Sequence, residues 1–442
     1  MTRDERVAVA GAVLARSRAD DTEVTVATSH QALTRFTHET VNQNIDQTDT
    51  SIRVRAIVDG RIGIATTNAL DDDALGAVAA RAYEIALLAP RESIPPTLAG
   101  TSAAPTSAGA FVPATAAASP AERARIAGAI FGHATDGFWS SGYTMTSSAA
   151  LTIVTSGGAC MSFDGTDAGA NVKMNGADST GFAERYSPDV TALDGDALGR
   201  ESARIARATR APIAVDPGDW TVILAPAAVG ELLRYLTGHF SAEAYAEGSS
   251  FITGKLATAV LGTNVTIHDD FAHPLNPGMP FDFEGFPTQR VTLIASGIAT
   301  DIVTDSTWAK RLNRRNTGHA LPAPNLAGPQ SSYTVVEAGR KSVDTLIAET
   351  KRGLLITRLW YVRTVDVRSA LLTGMTRDGT FLIENGAVKG GVHNMRFNES
   401  IVAALNDCEI ADRQARTGGH HYSLVTPAVK FNHFRFASAS PY

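Results

Sequence analysis

The chain has 442 residues, 44% of them hydrophobic and 19% charged, which is enough for two or three domains with uncrosslinked cores and excludes wholesale disorder. Lys and Arg number 39 against 45 Asp and Glu, a net charge of −6, and there is no dense basic run, so neither nucleic acid nor a membrane is expected as a partner. Two cysteines, Cys160 and Cys408, are too few for a disulfide framework and are expected to be buried thiols of a reducing compartment.

In chain order, Val7 to Ala15 is too short to span a membrane, and the charges of Arg3, Asp4, Glu5 and Arg6 cancel where a secretory leader would be positive. A cytoplasmic location is expected. Strand-like segments follow at Val24–Val26, Leu33–Asn44 and Ser51–Val58, and Asp59-Gly60 predicts a hairpin returning through Ile62 and Ile64. After Asp71, a residue suited to capping, Leu75, Val78, Ala82 and Ile85 recur at helical spacing until Pro90. Residues 96–118, rich in Pro, Ala, Thr and Ser, read as an interdomain linker.

Ser119-Pro120-Ala121-Glu122 predicts a capped helix running to about Ala134, with His133 on its apolar face beside Ile126 and Ile130. Short β-segments lead to a second helix near Asp196–Thr209. Beyond Pro217-Gly218 a strand is predicted at Trp220–Leu224, then a helical stripe of Val229, Leu232, Leu233 and Leu236. Turn pairs at Asp378-Gly379 and Asn385-Gly386 bracket a strand, and a last strand lies around Phe431–Phe436. The class is α+β: an N-terminal antiparallel sheet with helices over 1–95, a middle α+β region over 119–212, and a larger C-terminal β-rich domain over 213–442.

Among chemical motifs, Gly248 to Lys255 has five residues between its glycines where a phosphate loop has four, and Leu256 stands where a hydroxyl should bind magnesium. It reads as a loop entering a helix. Zinc proteases place two His on one helical face with a Glu between them. His38-Glu39 is the one His-Glu pair and lacks the second His; that segment reads as an exposed strand. His268 and His273 suit a loop, and His420-His421 follows two glycines with Cys408 upstream. No catalytic residue emerges from these patterns.

Several stretches together resemble one family. They are Ala32–Phe36, Val54–Thr67 (VRAIVDGRIGIATT), Phe281–Thr288 (FDFEGFPT), Asn316–Ala320, Gly353–Arg358 (GLLITR), Thr373–Asn385 (TGMTRDGTFLIEN) and Asn394–Phe397. In order and over nearly the whole chain, they are similar to the TldD/PmbA (TldE) family of gyrase-inhibitor modulators. The resemblance implies a two-component peptidase in which a TldD subunit carries zinc on His-Glu-x-x-x-His and a later Cys, while a PmbA/TldE subunit lacks them and pairs with it. The segment where that helix is expected, Glu231–Glu247, reads ELLRYLTGHFSAEAYAE, with His239 alone. The chain therefore resembles the PmbA/TldE branch, and the implied function is that of a non-catalytic subunit acting on unfolded or small peptides. Its cofactor would be zinc, held by the TldD-like partner and not by this chain. If the chain held its own metal, His239, His420 and His421 would be the candidates, and a self-sufficient hydrolase or a homodimeric peptide-binding protein is the alternative. Within the family-like stretches, His319, Arg358, Arg377 and Asp378 are the candidates for facing the partner or the substrate chamber.

Overall fold

The structure is a computed structural model that describes residues 1–103, 105–418 and 423–440. Its N-terminal half is a six-stranded antiparallel sheet in the order β3-β2-β1-β4-β5-β6, built from β1 (Asp21–Thr37), β2 (Thr40–Val58), β3 (Arg61–Thr67), β4 (Trp139–Thr155), β5 (Cys160–Asn175) and β6 (Thr180–Ser187). Helices Arg3–Leu14, Asp72–Leu88, Pro120–Phe131 and Gly195–Ala208 lie against it. Their starts follow local capping chemistry: Asp71, Ser119 and Asp194 side chains each accept a first-turn amide. The helix predicted to reach Ala134 stops at Phe131, and His133 sits just past its end, half-buried, with Nε2 2.8 Å from Asp196 Oδ1. It is no core histidine.

Leu33–Asn44, expected as one strand, instead reverses. His38 and Glu39 adopt φ of 49° and 54° and form a two-residue turn between β1 and β2. The turn is held because the His38 ring stacks on Trp139 at 4.1 Å and the Glu39 carboxylate accepts the Ser140 amide. The stretch 96–118 does not separate two sheets, since β1 from before it pairs along its length with β4 from after it. Part of it straps the N-terminal sheet to the C-terminal half: the Ala99 amide donates to the Glu284 carbonyl and the Thr97 amide to the Ser306 hydroxyl.

The C-terminal half is a mixed sheet of eleven strands. Strand β7 (Gly218–Leu224) pairs with Arg352–Asp366 on one side and Leu424–Ala439 on the other. Leu371–Glu384 and Met395–Ser400 complete the circuit between those two, so five strands close on themselves. The largest core, including Val222, Leu232, Ile356, Leu372, Phe397, Phe431 and Phe434, belongs to this half. Asn385-Gly386 forms the predicted hairpin turn, with φ of 50° and 75°. Asp378-Gly379 does not turn the chain. The pair lies inside Leu371–Glu384 with φ of 53° and 137°, where the pairing register with the neighbouring strand shifts, which marks a bulge.

Candidate functional site

A long cleft runs between the exposed face of the six-stranded sheet and the C-terminal half. Strand alternation puts residues two apart on one face, and the pairing register aligns them into rows. Gln43, Arg35, Tyr143, Asn171 and Glu184 form one row across β2, β1, β4, β5 and β6; Leu33, Met145, Gly169 and Tyr186 form the next; Ser141, Lys173 and Phe182 flank on the other side. Gly169 is needed here, because a Cβ would fall 2.7 Å from the Tyr186 ring that lies over it.

The C-terminal half closes the cleft through Ala227, Glu231, Arg358, Thr417 and Gly418. One end is a cavity of about 560 Å³ lined by Leu33, Ile45, Met145, Tyr143, Tyr186 and Glu184. The adjoining end, about 400 Å³, shares Arg35, Tyr143, Asn171, Phe182 and Arg358 with it and adds Lys173, Asn42, Gln43 and Ser141. Beyond Lys173 a further cavity of about 810 Å³ is lined by Trp360, Arg377, Asp378, His393 and Asn394.

Two polar networks set the electrostatics. In the first, the Thr417 hydroxyl donates to Glu184 Oε1 at 2.7 Å, and Tyr186 lies between Glu184 and the Tyr143 hydroxyl, 3.1 Å from the latter. Burial pushes the Glu184 carboxyl up, against the opposing pull of Thr417 and Arg358, and it pushes both tyrosines up as well. Each of these groups thus keeps its neutral, hydrogen-bonding form to a higher pH than it would in water.

In the second network the bulge at Asp378-Gly379 buries the Asp378 carboxylate among three cations. Arg358 Nη1 lies 2.7 Å from Oδ2, Lys173 Nζ 3.3 Å and Arg377 Nε 3.9 Å from Oδ1. The Arg358 guanidinium stacks 3.8 Å from the Phe182 ring centre and 4.9 Å from Trp360, which also carries Arg377 at 4.9 Å. Arg358, Arg377 and Asp378 are thus brought together.

The other sequence candidates lie elsewhere. His319 is buried away from the cleft, with Nδ1 2.9 Å from the Thr317 carbonyl and Nε2 3.1 Å from Asp269 Oδ1. The Glu231–Glu247 segment is no continuous helix: helix Pro226–Leu233 is followed by a 3₁₀ turn at Thr237–Phe240 and a short helix at Ala242–Ala246. On that turn His239 is buried, accepts the Phe251 amide at Nδ1, and is pushed down to about 4 by burial. No helix follows Gly248–Lys255, which is a run of turns. His268 sits on a short strand, 2.6 Å from Glu337. Cys408 is buried, but Cys160, also expected to be, is exposed.

His420 and His421 lie outside the described residues. Among the described residues no three His, Cys, Asp or Glu side chains are grouped to hold a metal ion. A zinc ion on His239, the alternative site, does not fit its surroundings: Nδ1 is engaged by a backbone amide, and among the described residues His239 belongs to no group of three such side chains. Arg35, Lys173, Phe182, Glu184, Tyr143 and Tyr186 were not singled out from the sequence. The two-residue spacing of Phe182, Glu184 and Tyr186 was the available signal for that face.

The family model described as the PmbA/TldA metallopeptidase C-terminal domain matches residues 217–438, and the model for domain 1 of the same family matches 23–86. The chain belongs to the PmbA/TldD family. A protein named Metalloprotease from Methanothermobacter thermautotrophicus is 23% identical over 248 residues, 54% of this chain and 51% of that one. Metalloprotease PmbA of Escherichia coli O157:H7 is 28% identical over 205 residues, 42% of this chain and 41% of its own length. The alignments thus span about half the length of these curated relatives or less. In fold, the crystal structure of TldE from Thermococcus kodakarensis superimposes with a TM-score of 0.89 at 19% identity, covering 99% of this chain and 100% of that one. Among the described residues, no helix is long and apolar enough to cross a membrane.

Proposed function

We propose that this member of a metallopeptidase family is a non-catalytic subunit, pairing in the cytoplasm with a zinc-bearing TldD-like chain and helping to hold unfolded or small peptides for cleavage by that partner. The observation that carries this reading is the state of Glu231–Glu247. The segment expected to present metal ligands is broken into short pieces, with its single histidine turned into the core. The cleft beside it is nevertheless furnished with aromatic, apolar and charged side chains. Such architecture, with no metal-ligand set among the described residues, suits holding and enclosing a peptide better than activating water.

The test mixes the purified chain with a relative that carries His-Glu-x-x-x-His and follows an unstructured peptide by mass spectrometry. Cleavage should appear only in the mixture and should vanish when the relative's Glu is replaced by Gln. Chelator-sensitive cleavage by this chain alone would overturn the proposal and favour a self-sufficient hydrolase. An inactive mixture in which this chain still binds the peptide would favour a binding protein without a catalytic partner.

A further inference from the structure

The two ends of the cleft differ in character. The 400 Å³ end is lined by Arg35, Lys173 and Arg358 together with Phe36, Asn42, Gln43, Ser141, Gly142, Tyr143, Asn171 and Phe182, and by no carboxylate. Asp378 lies behind that wall, fully buried, and partly neutralises Lys173 and Arg358. Arg35 stands on the sheet wall with Lys173, across the cleft from Arg358, exposed and with no ion-pair partner among the described residues. The Arg358 side chain is immobilised by one bond to Asp378 and by stacking on Phe182 and Trp360, and its guanidinium makes no other hydrogen bond among the described residues. A guanidinium held in place with donors to spare is prepared for an oxyanion, because little side-chain entropy is lost when the anion arrives. The adjoining 560 Å³ end offers Leu33, Ile45, Met145 and Ala227, where an apolar side chain is accommodated.

We propose that the basic end of the cleft is a carboxylate-binding subsite, with Arg35, Lys173 and Arg358 receiving a carboxylate of the peptide while an apolar side chain near that carboxylate enters the neighbouring end. The identity of the ligand as a peptide rests on the proposed function; the preference for a carboxylate rests on the charge and geometry of the wall. The carboxylate comes either from a chain terminus or from an Asp or Glu side chain. Arg35 is the cleanest probe because, unlike Arg358 and Lys173, its removal strands no buried partner.

The experiment measures binding of the full chain, alone, to four fluorescently labelled leucine-rich decapeptides by anisotropy. One has a free C-terminal carboxylate, one is its amide, and two are amides carrying an internal Glu or an internal Gln. One charge-assisted contact corresponds to about tenfold in affinity. The free acid, the Glu peptide, or both should therefore bind about tenfold tighter than the neutral amides, and whichever does so identifies the source of the carboxylate. The preference should shrink as salt rises and collapse in Arg35→Gln and Lys173→Gln, with folding checked by circular dichroism. Equal binding of charged and neutral peptides, no binding of any, or a preference unchanged in both variants would overturn the subsite. Loss of cleavage by the mixture with carboxylate preference intact would sink the subunit reading alone. Cleavage without carboxylate preference would sink the subsite alone.

Discussion

Replacing Glu284 by Gln should flatten the pH dependence of stability. Glu284 is buried in the FDFEGF loop where the two halves of the molecule meet, and its Oε2 accepts the Ser306 amide at 3.0 Å. Arg55 of β2 reaches it only at 3.8 Å, because the same guanidinium is bound directly to Glu23 of β1. One cation thus serves two buried carboxylates, with Asp282 and Asp305 also nearby. Burial, opposed by Arg55 and reinforced by Asp282 and Asp305, pushes Glu284 up to about 8. Below an ordinary value of 4.5 the carboxyl is protonated in both folded and unfolded chains. Above that, the unfolded chain releases the proton and the folded one retains it, so folding loses about 1.4 kcal/mol per pH unit until the pH passes about 8.

The useful window starts at pH 6.5, above which His239, held neutral by burial, no longer contributes its opposite trend. Between pH 6.5 and 8 the wild-type chain should therefore lose about 2 kcal/mol more than Glu284→Gln, whose amide oxygen can still accept from Ser306. Urea unfolding at several pH values in that window measures the difference through the midpoint. Parallel curves for the two proteins would refute the reasoning, since they would mean that Glu284 is already ionised and fully compensated in the folded state.

Arg55→Met should cost about 3–5 kcal/mol at neutral pH, because it leaves the fully buried Glu23 carboxylate without its counter-ion; adding Glu23→Gln should restore much of the loss in the same urea assay. A thiol reagent should titrate Cys160 promptly and Cys408 only after unfolding, because Cys408 is buried and its thiol is pushed up to about 12; two fast thiols in the native protein would contradict this. Gly169→Val should destabilise by about 1–3 kcal/mol by driving the Tyr186 ring off β5, and pairing it with Tyr186→Ala should recover part of that in thermal unfolding.

Much of the fold was legible from local chemistry. The capped starts at Asp71 and Ser119, the stop at Pro90, the Asp59-Gly60 and Asn385-Gly386 turns and the α+β class follow from interactions within a few residues, which a sequence states directly. Where the reading failed, a distant partner decided the outcome. Thr37–Thr40 turns because Trp139 and Ser140, a hundred residues away, hold His38 and Glu39. Asp378-Gly379 carries the backbone angles of a turn but is spliced into a strand by its neighbour. The PmbA/TldD resemblance was carried by contiguous stretches, and the isolated His239 was visible in the same way. The cleft was not, because its walls come from β1, β4, β5, β6 and the strand at Arg358, each contributing alternate residues with no mark in sequence of which face would be covered. Pairing register aligned Arg35, Tyr143, Asn171 and Glu184, only the packing of the two halves placed Arg358 and Asp378 opposite them, and contacts within the C-terminal half, with Asp269 and Thr317, hold His319 in the interior.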